Sequence, residues 1–292
     1  MVSDATDTLV YLVYGGGPHA DEATYSILSA LHHLGRRGKR RIVVYTDEPQ
    51  RFADLPVLVE HVAEEVLKEW AGPLAFCHRR KILVMKDALA RFGGRVLFCD
   101  TDTWFRAHPK KAFARIRPGR ALMHIAEYRL GDPRARPLSE SLAGHAFRDT
   151  RGRRWAIGAA TIMFNSGVIG LHAADAAVLD EVLVLTDQIY YFAPMIIIEQ
   201  LAFSICLHEF TRLQQCYDVI SHYWKPALRT PFQAQLARVL HADLLRTWEA
   251  VRRELSSSAP RVRAYPFHLG VPSLARRATS RVTAIAHRVL LS

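Results

Sequence analysis

Cysteine, lysine and long apolar runs are all scarce in this sequence of 292 residues. Its four cysteines, Cys77, Cys99, Cys206 and Cys216, are widely spaced. No C-x-x-C pair occurs, so the usual pattern of a zinc ribbon or a dithiol redox site is excluded. Cys99 and Cys206 stand in apolar runs and are predicted to be buried free thiols, a pattern that fits a reducing compartment.

Targeting and membrane signals are also missing. Residues 1–7 are acidic and lack the basic start of a signal peptide. The longest apolar candidate, Ile189 to Ile198, contains Pro194 and ends at Glu199. It is well short of the roughly 18 residues that a membrane-spanning helix needs. We therefore expect a cytoplasmic protein without a transmembrane helix.

The familiar phosphate-binding motifs are absent, although glycine is clustered near the N-terminus. Gly15 to Gly17, followed by Pro18 and His19, match neither G-x-G-x-x-G nor a Walker A loop, which requires Gly-Lys-Ser/Thr. Taken alone, the glycines favour a tight turn. The alternative is a backbone that approaches a nucleotide closely.

What the sequence does have is positive charge and apolar residues. The formal net charge is +11, and only seven of the 39 basic residues are lysine. This balance predicts an anionic partner, which can be nucleic acid, an acidic membrane surface or a phosphorylated substrate. Half of the residues are hydrophobic, which argues for a folded domain with a substantial core and against disorder.

The first fifty residues have the pattern of a βαβ unit. Thr8 to Tyr14 reads as a buried strand, the segment after Asp21 has helical apolar spacing, and Arg41 to Thr46 reads as a second strand. This order implies a parallel sheet with a right-handed crossover. Ligands of such sheets bind at the carboxyl ends of the strands.

Two carboxylates follow the next apolar strand. Asp100 and Asp102 end the run that starts at Val96, and if the run is extended to Asp102 their side chains project to the same side. Close carboxylates repel unless a cation lies between them, and hard oxygen ligands suit Mg²⁺ or Mn²⁺. The pair alone is weak evidence, because fifteen Asp residues produce about 0.8 Asp-x-Asp pairs by chance.

A basic helix precedes this strand. Phe76 to Phe92 is strongly amphipathic, and Arg79, Arg80 and Lys81 fall in its first turns, where the helix dipole disfavours cations. Such a cluster is usually a solvated face. Its position before the carboxylate strand makes a phosphate or carboxylate partner the alternative.

Further polar residues stand within apolar segments downstream. A strand predicted over Ala121 to Ala126 is followed by Glu127, and Thr161 to Leu171 reads as strand, polar turn and strand. Ala174 to Asp187 is predicted to be a helix. Ile189 to Leu207 is predicted to be mostly helical, with Glu199 inside it, and a carboxylate there requires a partner.

The C-terminal third is basic. Cys216 to Pro226 is predicted to be a short strand that contains His222, and Phe232 to Leu255 is predicted to be a helix. A serine linker, His268 and a last basic helix follow. That helix either lies on an anionic membrane surface or packs on the main domain.

The ordered set of motifs resembles the nucleotide-diphospho-sugar transferases of GT-A type, most of all the glycogenin and lipopolysaccharide-galactosyltransferase group. The likeness spans about residues 8 to 226. It rests on five features in family order: Val10 to Gly16, Arg79 to Lys81, Leu97 to Asp102, Phe164 to Val168, and Glu199-Gln200. Phe98-Cys99-Asp100-Thr101-Asp102 is similar to the family's Y-L-D-x-D segment.

The resemblance implies an α/β fold of the Rossmann-like GT-A type, with a mixed, mostly parallel sheet flanked by helices and a helical basic C-terminal extension. It implies one transferase domain over residues 1–230, with a donor-binding half over 1–110 and an acceptor half over 111–230. Residues 231–292 form the extension. The implied activity is a metal-dependent glycosyltransferase with Mn²⁺ or Mg²⁺, a nucleotide-diphosphate sugar donor such as a UDP-sugar, and a glycan or lipid-linked acceptor.

The family's donor-binding roles can be carried over by position. Asp100 and Asp102 would hold the metal on the diphosphate, with Thr101 between them, and Lys81 or Arg80 would pair with a carboxylate or a phosphate. The remaining positions would lie against the nucleotide, the transferred sugar or the diphosphate: Val13, Tyr14, Gly15, Tyr25, Asn165, Ser166, Gly167 and Lys225.

Two roles stay open within the resemblance. Relatives supply a late His as third metal ligand in a pattern like H-x-x-G-x-K-P-W, which His222-Tyr223-Trp224-Lys225-Pro226 matches in part, and His268 competes with His222. Glu199 stands where relatives often have Asp before Gln. Glu127 and Glu199 are the candidate bases that an inverting enzyme would need near the acceptor, and retention or inversion of the sugar is left undecided.

Two other functions compete with this interpretation. A sugar-phosphate nucleotidyltransferase shares the sheet and the metal carboxylates, but it usually has a Gly-rich signature with Arg and Lys just after the first strand. A non-catalytic nucleic-acid-binding protein should cluster its basic residues with exposed aromatics, whereas these are dispersed. We therefore expect no nucleic acid partner, and peripheral membrane contact through the C-terminus is left as an open alternative.

Overall fold

The computed structural model describes residues 7–34 and 41–242. The predicted basic helix, the serine linker and His268 lie outside the described residues. Among the helices that are described, none has both the length and the apolar character to cross a membrane. The division of the chain at residue 230 stays a prediction.

Strands and helices alternate through most of the chain. The strands are β1 (Thr8–Val13), β2 (Arg41–Thr46), β3 (Leu58–His61), β4 (Arg95–Cys99), β5 (Thr103–Phe105), β6 (Leu122–Met123), β7 (Ala126–Arg129), β8 (Ile162–Phe164), β9 (Val168–His172), β10 (Gln214–Gln215) and β11 (Ile220–His222). The helices are α1 (His19–Leu34), α2 (Glu64–Ala71), α3 (Arg79–Phe92), α4 (Lys110–Phe113), α5 (Arg136–Leu142), α6 (Val178–Phe192), α7 (Ile198–Phe210) and α8 (Pro226–Ala242).

The main sheet has seven strands in the order β10-β6-β9-β4-β1-β2-β3. β1 pairs in parallel with both β2 and β4, β2 with β3, and β6 with β10. Only β9 runs the other way in this sheet, between β4 and β6. The predicted mixed, mostly parallel sheet flanked by helices is therefore confirmed.

The central strands are buried on both faces, which explains their continuous apolar sequences. Along β1, Leu9 and Tyr11 belong to one core and Val10 to the other, as the alternation of a strand requires. Ile27 of α1 packs in the first core and Met85 of α3 in the second. The sheet thus lies between α1 on one side and α3, α6 and α7 on the other.

The strand that carries the carboxylates is shorter than predicted. β4 ends at Cys99, and Asp100 to Asp102 form a tight turn before β5 begins at Thr103. The expected extension to Asp102 is wrong, because the chain has to leave the sheet here to form the separate β5–β11 pair. The turn, and not strand alternation, therefore sets the directions of the two side chains.

Three other boundaries differ from the prediction. The predicted strand Ala121 to Ala126 is divided into β6 and β7, which belong to different sheets. α3 begins at Arg79 instead of Phe76, and α6 and α7 are separated by residues 193–197, so Glu199 lies in the first turn of α7 and not within a long helix. Pro194 lies in that connection, and a proline there is incompatible with one continuous helix.

Gly170 lets the antiparallel strand β9 pack between β4 and β6. A Cβ atom at this position would lie 2.5 Å from Ile116 Cδ1 and 2.9 Å from Leu122 Cβ. We expect Gly170→Ala to lower the free energy of unfolding by about 2 kcal/mol, as overpacking of a core does. Chemical denaturation measures the change.

Gly158→Ala is the matched control for this substitution. Nothing lies within 4 Å of a Cβ atom at Gly158, so its stability should stay within about 0.5 kcal/mol of the wild type. Equal stability of the two variants would show that β9 does not pack as described.

Candidate metal centre and its cavity

A cavity of about 910 Å³ opens at the carboxyl ends of β1 and β4. Leu12 and Tyr14 line it from β1, and the Asp100–Asp102 turn lines it from β4. The polar turn between β8 and β9 and the first turn of α7 also line it. The cavity is therefore at the edge of the sheet where α/β proteins bind ligands.

Asp100, Asp102 and His222 meet in this cavity and could hold a metal ion. Each offers one ligand atom, and these atoms lie within 4.8 Å of one another. An ion bound at about 2.1 Å has opposite ligand atoms about 4.2 Å apart. The three side chains would therefore need to move together only slightly to bind one ion. Two carboxylates and one imidazole suit a divalent ion, and the residues present therefore fit the metal site that the sequence predicts.

The β5–β11 pair brings His222 to the carboxylates. His222 pairs with Thr103, which is the residue directly after Asp102. The carbonyl of Asp102 accepts the N–H of Tyr223 at 3.0 Å, and the N–H of Asp100 donates to the carbonyl of Gly167 at 2.8 Å. Backbone hydrogen bonds thus fix the turn from two sides.

One polar face of α1 bonds residues 101–105, which follow β4. Glu22, Ser26 and Ser29 are spaced four and three residues apart, so they share a helix face, and all three are buried. Their side chains bond successive positions of the segment after β4. The contacts are Glu22 Oε2 with Thr101 Oγ1, Ser26 Oγ with Thr103 Oγ1, and Ser29 Oγ with the N–H of Phe105.

Asp100, Asp102 and His222 are called the metal group below. Arg229 of α8 connects the polar face of α1 to this group. Its Nε and Nη2 donate to the two oxygens of Glu22 at 2.8 and 2.6 Å, and its Nη1 lies 3.0 Å from Asp102 Oδ2. Glu22 is completely buried, and a buried carboxylate needs such a partner. Arg229 therefore neutralises Glu22 and restrains Asp102 at the same time.

Lys81 has the equivalent role for Asp100. Its ammonium group lies 3.0 and 3.1 Å from the two oxygens of Asp100 and 3.3 Å from Glu199 Oε1. Ser166 Oγ also donates to Glu199 Oε1, at 2.8 Å. The other oxygen, Glu199 Oε2, is buried without a hydrogen-bond partner. Such an orphaned acceptor in a cavity wall is suited to a ligand hydroxyl.

The connected charges favour a divalent cation. Four carboxylates and two cations form this network: Glu22, Asp100, Asp102, Glu199, Lys81 and Arg229. With His222 neutral, their formal charges sum to minus two. A divalent ion at the metal group would offset that charge.

Opposing effects shift the pKa values of the metal group. Burial raises the pKa of Asp102, but the attraction of His222 and Arg229 outweighs it and holds this pKa well below its usual value. Burial lowers the pKa of His222, but Asp102 outweighs it and raises this pKa above its ordinary value. Without a metal, the group is thus held together by a charged hydrogen bond of 3.1 Å between Asp102 Oδ1 and His222 Nε2.

Glu127, a candidate base, and Asn165 belong to one hydrogen-bond chain. Asn165 Nδ2 donates to Glu127 Oε1 at 3.2 Å, and Gln200 Nε2 donates to Glu127 Oε2 at 3.0 Å. Burial is the main reason that the pKa of Glu127 is raised. A raised pKa makes a carboxylate a stronger base.

Some of the predicted site residues line the cavity and others do not. Thr101, Ser166, Gly167 and Lys225 line it together with the metal group. The predicted nucleotide contacts Val13, Gly15, Tyr25 and Arg80 are not among the lining residues.

Each of these four residues has another packing role. Val13 is buried in the core, and Tyr25 packs edge-on against Phe232 of α8. Gly15 turns the chain with a φ of 81° and donates its N–H to Asp47. The guanidinium of Arg80 lies over the Tyr14 ring and donates to the carbonyl of Leu67. Their contacts with a nucleotide stay a prediction.

The sequence analysis missed Glu22 and Arg229. A signal for each was present: Glu22 shares a helix face with Ser26 and Ser29, and Arg229 is four residues after Lys225 at the start of α8. Both spacings indicate a polar face that meets the site. Nothing in the sequence indicates that the two residues contact each other.

Searches with the sequence and with the structure gave different results. No protein-family model and no curated protein matches the chain. Among solved structures, the chain is similar to mouse xyloside xylosyltransferase 1 in its apo form, with a TM-score of 0.48 and 14% identity over 72% of this chain and 85% of that one. It is also similar to the bifunctional glycosyltransferase WbbM in its apo form, with a TM-score of 0.43 and 11% identity over 74% of this chain.

The second match spans only 39% of the length of WbbM. Both likenesses are structural and at low identity. The function is therefore argued from the geometry of the site.

The Glu22–Arg229 pair predicts a specific stability pattern. Arg229→Met removes the guanidinium from the buried Glu22 carboxylate, which keeps only its contacts with Thr101 and His19, and should lower the free energy of unfolding by about 3 kcal/mol. The double variant Glu22→Gln/Arg229→Met removes both charges and should recover most of that loss. Denaturant titration of the single and double variants measures the coupling, and strictly additive losses would contradict the pairing.

Proposed function

We propose that this protein is a metal-dependent glycosyltransferase of GT-A type. It transfers a sugar from a nucleotide-diphosphate sugar, with a UDP-sugar as first choice, to a hydroxyl group of a glycan or lipid-linked acceptor. The observation that carries this proposal is the convergence of Asp100, Asp102 and His222 in a cavity of about 910 Å³ at the carboxyl edge of the sheet.

Asp100, Asp102 and His222 would hold Mn²⁺ or Mg²⁺. Such an ion neutralises the charge that develops on the diphosphate as the bond to the sugar breaks. Lys225 lines the cavity at the start of α8, and its ammonium group would contact the diphosphate. Cations placed in advance stabilise such a leaving group without reorganisation.

The wall around α7 would bind the transferred sugar. Glu199 Oε2 is a buried acceptor without a partner in the structure, and a sugar hydroxyl would satisfy it. Lys81 and Ser166 hold the other oxygen of Glu199, so its orientation is fixed before the donor arrives.

Glu127 would act near the acceptor. It lines the same cavity, and both of its oxygens already accept hydrogen bonds from amide groups. Its raised pKa suits a group that takes up a proton from the acceptor hydroxyl.

A panel of sugar nucleotides tests the proposal. We expect UDP- or GDP-sugars to raise the melting temperature of the protein in Mn²⁺ or Mg²⁺ but not in EDTA, and slow release of the nucleoside diphosphate to follow. Asp100→Asn and Asp102→Asn should each lower this release by at least about 100-fold, since each removes a charge that acts on the leaving group.

Asp180→Asn is the matched control, because Asp180 is half-exposed on α6 and pairs with Lys86 away from the cavity. It should release nucleotide like the wild type. If no sugar nucleotide stabilises the protein, or if both cavity variants remain fully active, the proposal is wrong. Formation of pyrophosphate from a sugar phosphate and a nucleoside triphosphate would instead identify a nucleotidyltransferase.

A further inference from the structure

The turn Asn165-Ser166-Gly167 lies directly against His222. Asn165 Oδ1 is 2.8 Å from His222 Nδ1. Gly167 lies against the same ring, since a Cβ atom there would lie 2.2 Å from His222 Cε1 and from His222 Nδ1. The turn that was expected to border the transferred sugar therefore also surrounds a candidate metal ligand.

Hydrogen bonds on both ends of the Asn165 amide fix its orientation. Asn165 Nδ2 donates to a Glu127 oxygen at 3.2 Å, and Asn165 Oδ1 accepts the N–H of Gly167 at 3.0 Å. A rotated amide would place its NH₂ group against the N–H of Gly167 and its oxygen against a carboxylate. Both contacts would be repulsive, so the oxygen has to face His222.

An amide oxygen can only accept a hydrogen bond, so His222 Nδ1 has to carry the proton. In the neutral ring the lone pair is then on Nε2, which points at Asp102 Oδ1 from 3.1 Å. Two lone pairs cannot face each other at that distance without a proton or a cation between them. Without a metal, a shared proton occupies this position, and a bound cation would replace that proton while the ring keeps its orientation.

The neighbouring histidine supports this arrangement. His124 Nε2 donates to the carbonyl of Ile220 at 3.0 Å, and its ring packs edge-on against the His222 ring with centroids 5.6 Å apart. Ile220 begins β11, the strand that ends at His222. His124 therefore holds the strand while Asn165 holds the ring.

We infer that Asn165 is a positioning residue that fixes His222 as its Nδ1–H tautomer and directs Nε2 to the metal, while Gly167 provides the space in which the ring lies. This inference rests on the proposed metal site. Partners of this kind beyond the direct ligands set the tautomer and basicity of metal-bound histidines in proteins generally.

Nitrogen-15 NMR of the metal-free Asp102→Ala variant, labelled at histidine, reads the tautomer, because the carboxylate that would hold a proton on Nε2 is then absent. At alkaline pH, where the ring is neutral, His222 should show a protonated Nδ1, and the signal is assigned by its loss when His222→Gln is added. Adding Asn165→Leu should lose this single tautomer, whereas adding Asn165→Asp should keep it because a carboxylate oxygen also accepts from Nδ1.

Mn²⁺ titration calorimetry measures the consequence for binding. Asn165→Leu and Gly167→Ala should bind Mn²⁺ about 10- to 100-fold more weakly than the wild type. Gln188→Leu is the control for loss of an amide, because Gln188 bonds the backbone of Arg148 outside the cavity. It should leave the tautomer and the Mn²⁺ affinity unchanged.

The outcomes separate this inference from the proposed function. A protonated Nε2 in Asp102→Ala, or an unchanged tautomer together with a wild-type Mn²⁺ affinity when Asn165 is replaced by Leu, would overturn the inference. If the folded wild type binds no Mn²⁺, the metal-dependent function fails, and the NMR result alone still decides whether Asn165 sets the tautomer.

Discussion

Two carboxylates held close together are the constraint on which the site depends. Asp100 and Asp102 occupy one tight turn, and their repulsion has to be offset before the domain can fold stably. The chain does so with cations from two helices: Lys81 from α3 pairs with Asp100, and Arg229 from α8, which packs against α1, pairs with Asp102. Each cation also neutralises a second buried carboxylate, so the site is built into the packing of the helices.

The same arrangement links the metal group to the rest of the cavity. Lys81 reaches Glu199 at the start of α7, and Asn165 joins His222 to Glu127. A shift of His222 would therefore disturb the hydrogen bonds of Glu127. This coupling is a physical reason for the small, buried polar residues in the turn between β8 and β9, where a larger side chain would displace the histidine ring.

The sequence was sufficient for the sheet and for much of the site. Continuous apolar runs predicted β1, β2 and β4, and the position of Asp100 after β4 placed it correctly at the carboxyl edge. The extended strand through Asp102 was wrong, because local periodicity does not show where β5 leaves the main sheet to pair with β11. The contact between Arg229 and Glu22 was missed because 207 positions separate them in the chain, and no local pattern encodes such a contact. Tyr25 was assigned by position alone, and its ring packs edge-on against Phe232 of α8.

The account depends most on the claim that His222 joins the two aspartates around one ion. Pulsed EPR of Mn²⁺ bound to the protein, labelled with nitrogen-15 at histidine, measures this directly. We expect a coupling to one histidine nitrogen that disappears in His222→Gln while Mn²⁺ still binds more weakly through the carboxylates. Tight Mn²⁺ binding without any nitrogen coupling, or a coupling that persists in His222→Gln, would contradict the account.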